Sequence, residues 1–552
     1  MASALVSEGG IRIAIEGCGH GTLHAIYASI AKACELKGWD GVDLLIIGGD
    51  FQAVRNAYDL KAVAMPEKYR EMADFHEYYS GARTAPYQTI FVGGNHEASN
   101  YLWELFYGGW VAPRMYYVGA ANVIRLGPLR IAGLSGIWKG YDYKKPHFER
   151  LPYNDSDVRT IYHVREWDTR KLLQVRSQVD IGISHDWPRG MEWKGDHRQL
   201  FKFKPHFEQG AKDGTLGNVA ATKVLEHLRP PYWFSAHMHA KYAAVWEHES
   251  ASKLEPDVKE DPAVVTSKGK IDLDLDHASS IPVVIPKNNA EIDLDLGDDD
   301  MLQPSAQEIE QQVIHGKPQN GATTESEELP QDIRGLLPES FAKPPAVTPT
   351  TLPFPPDITN TTTRFLALDK CLPNRHFLQL MEVSPHTASE FKRPLRLEYD
   401  KEWLAIIRVF SGDLQLGDPE AQVPADKGDA FYRPLIEKEM EWVEENIVKP
   451  GKMVIPEDFA QTAPVYDPSM GIRVTGLPQE YTNPHTQAFC NLLQIPNPFH
   501  TSEEERAQMM RQGPRPDAGD RNRGGGRGGF RAGQRSRGQG RGGRGGRGRG
   551  RW

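Results

Sequence analysis

Five short apolar runs in the first 246 residues each lead into a residue that can hold a metal ion. The run at 11–17 opens into Cys18 and His20, and the run at 43–50 ends in Gly48-Gly49-Asp50. The run at 89–96 ends in Gly93-Gly94-Asn95-His96, that at 179–185 in Ser184-His185, and that at 232–239 in His237-Met238-His239. Imidazole, carboxylate, thiolate and amide oxygen are the donors that divalent ions take. Glycines beside them let the backbone turn sharply and approach an ion or a phosphate closely. A lone histidine after a strand is ordinarily a hydrogen-bonded surface residue, and an isolated His-x-His says little. The same context met five times in one stretch predicts a metal-binding domain.

The elements that must position these donors are legible in the same runs. They are rich in β-branched residues and four to eight residues long, as is a sixth at 129–135, which suits strands buried on both faces. Between the first two lies HGTLHAIYASIAKACELKG, with apolar residues at helical spacing and a glycine stop. This alternation predicts an α/β domain over 1–246, with helices packed over sheets. In open α/β sheets ligands collect beyond the carboxyl ends of the strands, where all these donors fall.

Taken in order, the GD, GNHE, lone His and His-x-His of this chain resemble the signature of the calcineurin-like metallophosphoesterases. Cys18 stands where most members have Asp. With GGDFQAVRN (48–56), YGGWVAPRMYYVG (107–119), SHDWP (184–188) and SAHMHAKY (235–242), residues 11–245 are similar to the RNA lariat debranching enzymes. Residues 361–500, including NPHTQAFC (483–490), resemble the C-terminal domain of that family. The resemblance implies a four-layer αββα sandwich with an inserted recognition loop. It also implies two divalent ions (Fe2+, Zn2+ or Mn2+) bridged by Asp50. One ion would be held by His20, Asp50 and His239 with Cys18 as a ligand or beside it, and the other by Asp50, Asn95, His185 and His237. A carboxylate can bridge ions ~3.5–4 Å apart, and such a pair activates water for in-line attack on phosphorus. His96, one residue after a ligand, would be the general acid that protonates the leaving 2′-oxygen. The implied reaction is hydrolysis of the 2′–5′ bond at the branch point of intron lariats, in the nucleus where splicing makes them.

Residues 135–165 read as the element that meets substrate. Trp138, Tyr141, Tyr143, Phe148 and Tyr162 alternate with Lys139, Lys144, Lys145 and Arg165, and with His147 and His163. Stacking faces and phosphate-binding cations are what splayed RNA needs. On composition alone, a surface loop with its aromatics buried against the core fits equally well. The resemblance makes this the lariat recognition loop and so implies RNA contact.

Charge divides the rest. The chain has 552 residues and a net charge of −9, but eleven of its 65 basic residues sit in 521–552, leaving 54 against 74 acidic residues in the first 520. Residues 247–360 carry 23 acidic against 8 basic residues and two near-repeats, IDLDLD at 271–276 and IDLDLG at 292–297. That composition cannot offset chain entropy by burial and predicts a disordered spacer, or a motif for splicing or intron-turnover proteins. Residues 361–500 regain aromatics and helical periodicity, as in EWLAIIRVF at 402–410, and predict a second folded module packed on the first. Residues 501–552 are expected to be a disordered RGG-type tail, read as a weak RNA binder or as a solubilising, methylated segment. No apolar run approaches the ~18 residues of a membrane span, the N-terminus lacks a secretory pattern, and four cysteines point to a reducing compartment.

Overall fold

The computed structural model describes residues 10–249, 352–386 and 391–516. The acidic repeats and the arginine-rich terminus lie outside the described residues. Among the described residues thirteen strands run in chain order: β1 (Ile11–Glu16), β2 (Leu44–Ile47), β3 (Thr89–Phe91), β4 (Gly109–Ala112), β5 (Met115–Tyr117), β6 (Ala121–Leu126), β7 (Leu129–Leu134), β8 (Ile181–Ser184), β9 (Tyr232–Ser235), β10 (Tyr242–Glu247), β11 (Thr362–Ala367), β12 (Leu378–Val383) and β13 (Leu397–Tyr399). They form a six-stranded sheet in the order β12-β1-β2-β3-β5-β4 and a seven-stranded sheet in the order β10-β11-β9-β8-β7-β6-β13.

The period of two in the strands explains the layers. Ile13, Ile15, Leu44, Ile46 and Ile90 share one buried cluster with Ile131, Ile181 and Ile183 of the other sheet. Their neighbours Ala14, Leu45, Ile47 and Phe91 turn the other way and pack on Leu23, Ile26 and Ile30 of the helix Leu23–Lys37. On the second sheet, Leu172, Val224, Leu225 and Trp403 bring helices Glu166–Leu172, Val219–Leu228 and Lys401–Phe410 into the same core. The result is helices, sheet, sheet, helices. Strands β1, β2 and β3 are parallel to one another, as are β7, β8, β9 and β11, so the carboxyl ends that carry the donors share one edge of the sandwich.

The segment beyond the acidic stretch does more than pack against the first module. It completes both sheets: β12 pairs antiparallel with β1, β11 lies between β9 and β10, and β13 extends the second sheet beside β6. Register sets Glu247 opposite Thr362, so the stretch 250–351 joins two neighbouring strands. Folded chain also begins before 361. Ile358 is buried, and the Phe354 ring lies 4.0 Å from the Arg229 guanidinium carbon. Arg130 of β7 donates to Asp400 (2.6 Å) and Glu402 (2.9 Å), and Asp400 also caps the helix Lys401–Phe410 by accepting from Trp403 N. Truncating either acid would leave a buried guanidinium short of a partner. All four cysteines are buried free thiols. Among the described residues, no helix is long and apolar enough to cross a membrane.

Candidate metal centre

Asp50 sits in the turn after β2, 1% exposed, with φ of 46°. His20, Gln52, His237 and His239 also have positive φ, from 41° to 62°. Non-glycine residues avoid this region, and several of them in one place mark a site whose geometry is held by its surroundings. Glycines make room for these turns. A Cβ on Gly94 would fall 2.2 Å from Asp50 Oδ1, and one on Gly49 would fall 2.2 Å from His185 Nδ1.

The two oxygens of Asp50 face different partners. Oδ1 accepts from His96 N (2.8 Å) and lies 3.5 Å from His185 Nε2, whereas Oδ2 lies 3.6 Å from His20 Nε2. On the first side, His185 Nδ1 donates to the Gly48 carbonyl (2.9 Å), so its Nε2 presents a bare lone pair. That lone pair meets Asn95 Oδ1 at 3.3 Å and Asp50 Oδ1, while the His237 ring lies 5.0 Å from that of His185. Three acceptors turned on one point repel each other unless a cation lies among them. On the second side, ligand atoms of Cys18, His20, Asp50 and His239 all fall within 4.8 Å of one another, and His20 Nε2 and His239 Nε2 are 3.3 Å apart. A thiol, two imidazoles and a carboxylate are a donor set for a divalent transition ion. The residues present therefore fit divalent metal.

Electrostatics agree. Burial holds His20 down at about 4 and His237, His239 and His185 below the ordinary range, a shift toward the neutral ring that ligation needs. Burial opposes ionisation of Asp50, but the His185, His96 and His20 rings and the His96 amide outweigh it and hold its carboxyl well below the usual range. Cys18 goes the other way. Burial first, then the charges of Asp50 and Glu16, push its thiol well up, although Sγ accepts from His237 N at 3.1 Å.

Residues 11–241 match the family model for calcineurin-like phosphoesterases, and residues 360–498 match that for the lariat debranching enzyme, C-terminal domain. The chain is 39% identical over 484 residues to the lariat debranching enzyme of Schizosaccharomyces pombe, covering 87% of this chain and 95% of that one. The chain belongs to the lariat debranching enzyme family. It is also 37% identical to the human lariat debranching enzyme over 487 residues (88% and 69% of the two chains), and 35% identical to that of Arabidopsis thaliana over 486 residues (88% and 87%).

In this debranching-family chain the loop 135–165 leaves β7 beside the centre, where Gly136 N donates to the Gly93 carbonyl and Trp138 N to Asp186 Oδ2 (3.2 Å). Tyr141 is 60% exposed, Lys144 and Lys145 are exposed, and Trp138 and Tyr162 are half-buried. Lys139 is buried on the side of the centre, where its charge adds to the burial that depresses His237. Of the residues expected to contact RNA, Tyr143, His147, His163 and Arg165 lie buried, with partners inside or beside the loop. Tyr143 is buried against Trp138. His147 Nε2 pairs with Asp168 (2.7 Å), His163 Nδ1 with Asp142 (2.7 Å), and Arg165, 0% exposed, with Glu149 (2.6 Å). These four give the loop its shape. The interleaved acids Asp142, Glu149 and Asp168 were the signal in the sequence that these cations had partners.

Glu97 was not singled out by the sequence. It is buried, and its carboxylate accepts from Phe51 N (2.8 Å), Gly94 N (3.0 Å) and Gln52 N (2.8 Å), tying the Asp50 turn to the Asn95 turn. Lys370 is a second addition. It pairs with Cys18 across a parallel bridge, and its charge bears on His20 and His239.

Proposed function

We propose that this chain hydrolyses the 2′–5′ phosphodiester at the branch point of excised intron lariats, using two divalent ions. The observation that carries the reading is the division of Asp50 between two donor sets, one on each carboxylate oxygen. His20, Asp50 and His239, with Cys18, would hold one ion. Asp50, Asn95, His185 and His237 would hold the other. When bound, such a pair polarises phosphate oxygens and lowers the pKa of water.

The protein's own groups do the rest. His96 is fixed twice, its amide on Asp50 Oδ1 and its Nδ1 on the Ala64 carbonyl (2.9 Å). The ring therefore offers Nε2 alone for a mobile proton, which suits transfer to a leaving 2′-oxygen. Cys18 is a neutral thiol in the metal-free chain, so its ligation is coupled to loss of a proton when an ion binds. A sulfur donor favours Fe2+ or Zn2+ over Mg2+, with Mn2+ also admitted by the nitrogen and oxygen donors. Trp138, Lys139, Tyr141, Lys144, Lys145 and Tyr162 remain the loop's candidates for stacking on unpaired bases and for neutralising phosphate. The products would be a linear intron with a 5′-phosphate and a free 2′-hydroxyl at the branch nucleotide, and the place of action the nucleus.

The test is cleavage of a branched RNA, a 3′–5′ linear RNA and a phosphopeptide by one preparation of known metal content. Strong preference for the branched RNA supports the reading, and equal activity on all three defeats it. A protein that takes up no metal and cleaves nothing would be an RNA-binding scaffold instead.

A further inference from the structure

The segment between β8 and β9 carries a second group of cations and aromatic rings. It leaves β8 at His185 and runs out through Met191–Lys194 and the helix His197–Phe203. Residues 189–206 hold five basic against two acidic residues, in a chain whose net charge is −9. Of the two acids, Glu192 is buried, and Asp196 caps the helix by accepting from Gln199 N (3.0 Å). Among the described residues no acid is ion-paired with Arg198, Lys202 or Lys204. Arg198 and Lys202 are exposed and stand four apart on one helix face, about 6 Å along its axis. Like charges at that spacing repel and weaken a helix, so an anion between them relieves the pair. Two rings flank them. Trp193, 43% exposed, packs on His197 and Phe201 with ring centres 5.3 and 5.5 Å away. Phe203 is 57% exposed, with Lys204 Nζ 5.7 Å from its ring centre. Exposed rings interleaved with unpaired cations are what a single RNA strand takes, bases on the rings and phosphates on the cations.

Both ends of this segment are fixed to the edge that bears the metal ligands. At its start, the Arg189 guanidinium carbon lies 5.9 Å from the Trp138 ring of the recognition loop, and Asp186, next to His185, accepts from Trp138 N. Farther on, Gly195 bridges Ala244, and the Glu192 carbonyl accepts from the Tyr242 hydroxyl (2.6 Å), where β10 begins three residues after His239. At its end, Lys204 comes to Asp369, the neighbour of Lys370. Burial pushes the Asp369 carboxyl up, while the Lys370 amide and the charges of Arg375, Lys204 and Lys370 draw it down. Three cations thus share one carboxylate there, Arg375 at 3.6 Å. The recognition loop meets the centre on the His237 side, where Lys139 adds its charge to the burial of that ring. Lys370 adds its own to the burial of His20 and His239. The Lys204 end therefore approaches the other half of the centre from the one that the loop meets.

A branch nucleotide carries phosphodiesters on its 2′, 3′ and 5′ oxygens, so three strands leave the centre, more than a loop on one side can follow. We propose that Trp193, Arg198, Lys202, Phe203 and Lys204 form a second RNA surface, which takes one of those strands by stacking on its bases and neutralising its phosphates. This rests on the branched-RNA reading above. The test uses a branched RNA trimmed to a single nucleotide on every strand, and three RNAs in which one strand each is extended by about six nucleotides, within the span such surfaces cover. The full chain is compared with Arg198→Gln/Lys202→Gln, with Phe203→Ala, and with a charge-matched control, Lys32→Gln/Lys37→Gln, on the helix Leu23–Lys37. One extension should lower KM for the parent. On that RNA, the Arg198/Lys202 variant should show a plot of log KM against log salt that is shallower by about 1.4, for two phosphates at ~0.7 each. Phe203→Ala should raise KM there about fivefold or more, with kcat unchanged. On the trimmed RNA every variant should match the parent, and the control should match it throughout. The proposal is overturned if no extension lowers the parent KM, or if the Arg198/Lys202 and Phe203 variants keep it on the extended RNA. It is overturned equally if the loss is as large on the trimmed RNA or in the control. Failure of the full chain to cleave even the trimmed RNA would overturn the functional reading instead.

Discussion

Replacing Glu97 by Ala should dismantle the metal centre without touching a ligand. Its carboxylate takes three main-chain N–H groups, from Phe51, Gln52 and Gly94, and all of these residues are buried. Each donor left without a partner costs about 1–3 kcal/mol. Burial and the Asp50 charge push the Glu97 carboxyl up to about 7, so removing it also relieves some cost of a buried charge. A net loss of about 3–6 kcal/mol follows. With about 400 residues in the described fold and ~2.1 cal/mol/K of unfolding entropy per residue, the melting temperature should fall by ~4–7 °C. Glu97→Gln keeps one oxygen for Phe51 and Gly94 and sets an amide against Gln52 N, so it should lose about 1–3 kcal/mol. Calorimetry of the metal-free protein gives the first number, and titration with Mn2+ gives the second effect, at least tenfold weaker binding in the alanine variant. If Glu97→Ala melts within a degree of the parent and binds Mn2+ equally well, the carboxylate is not what joins the two turns.

Other expectations follow from single contacts. His96→Ala should lose turnover yet keep metal and branched-RNA binding; loss of metal would show that the ring, and not only its amide, supports Asp50. Cys18→Asp should shift reconstituted activity from Fe2+ or Zn2+ toward Mg2+ and Mn2+, and an unchanged preference would place Cys18 outside the ligand set. Burial lowers His248 to about 4, where its Nε2 meets Thr363 Oγ1 at 2.8 Å. A histidine depressed in the folded state contributes fully above its unfolded value, ~6.5, and costs stability as pH falls from there toward 4. In urea titrations from pH 7.5 to 4.5, His248→Gln should therefore gain on the parent as pH drops; a constant difference would mean the proton binds folded and unfolded chains alike.

What could be read from sequence, and what could not, divides along range. The runs before Cys18, Asp50, Asn95, His185 and His237 are local, their β-branched character sets strands, and the donors fall at their ends as expected. EWLAIIRVF carries its own period, and with Asp400 as cap just before it forms the helix Lys401–Phe410. The pairings of β11, β12 and β13 were hidden because β1 meets β12 across more than 360 residues, and no local pattern reports such a partner. Glu97 was hidden because its partners are main-chain amides, which every residue has. In the loop, the sequence left exposed and buried aromatics equally open. Arg165 and Glu149 decide that question only through a contact 16 positions apart.

The route of the chain through the two sheets has a consequence for synthesis. All seven candidate ligands precede residue 240, yet β1 and β9 each lack a neighbour until β11 and β12 are made. From residue 249 to the end of β12 is 134 residues. At about 5–20 residues per second, a ribosome needs roughly 7–27 s to supply them. Any sheet that forms in that interval would have open edges beside β1 and β9, and open edges invite pairing with other chains. The length of the acidic stretch, more than any folding step, sets that waiting time.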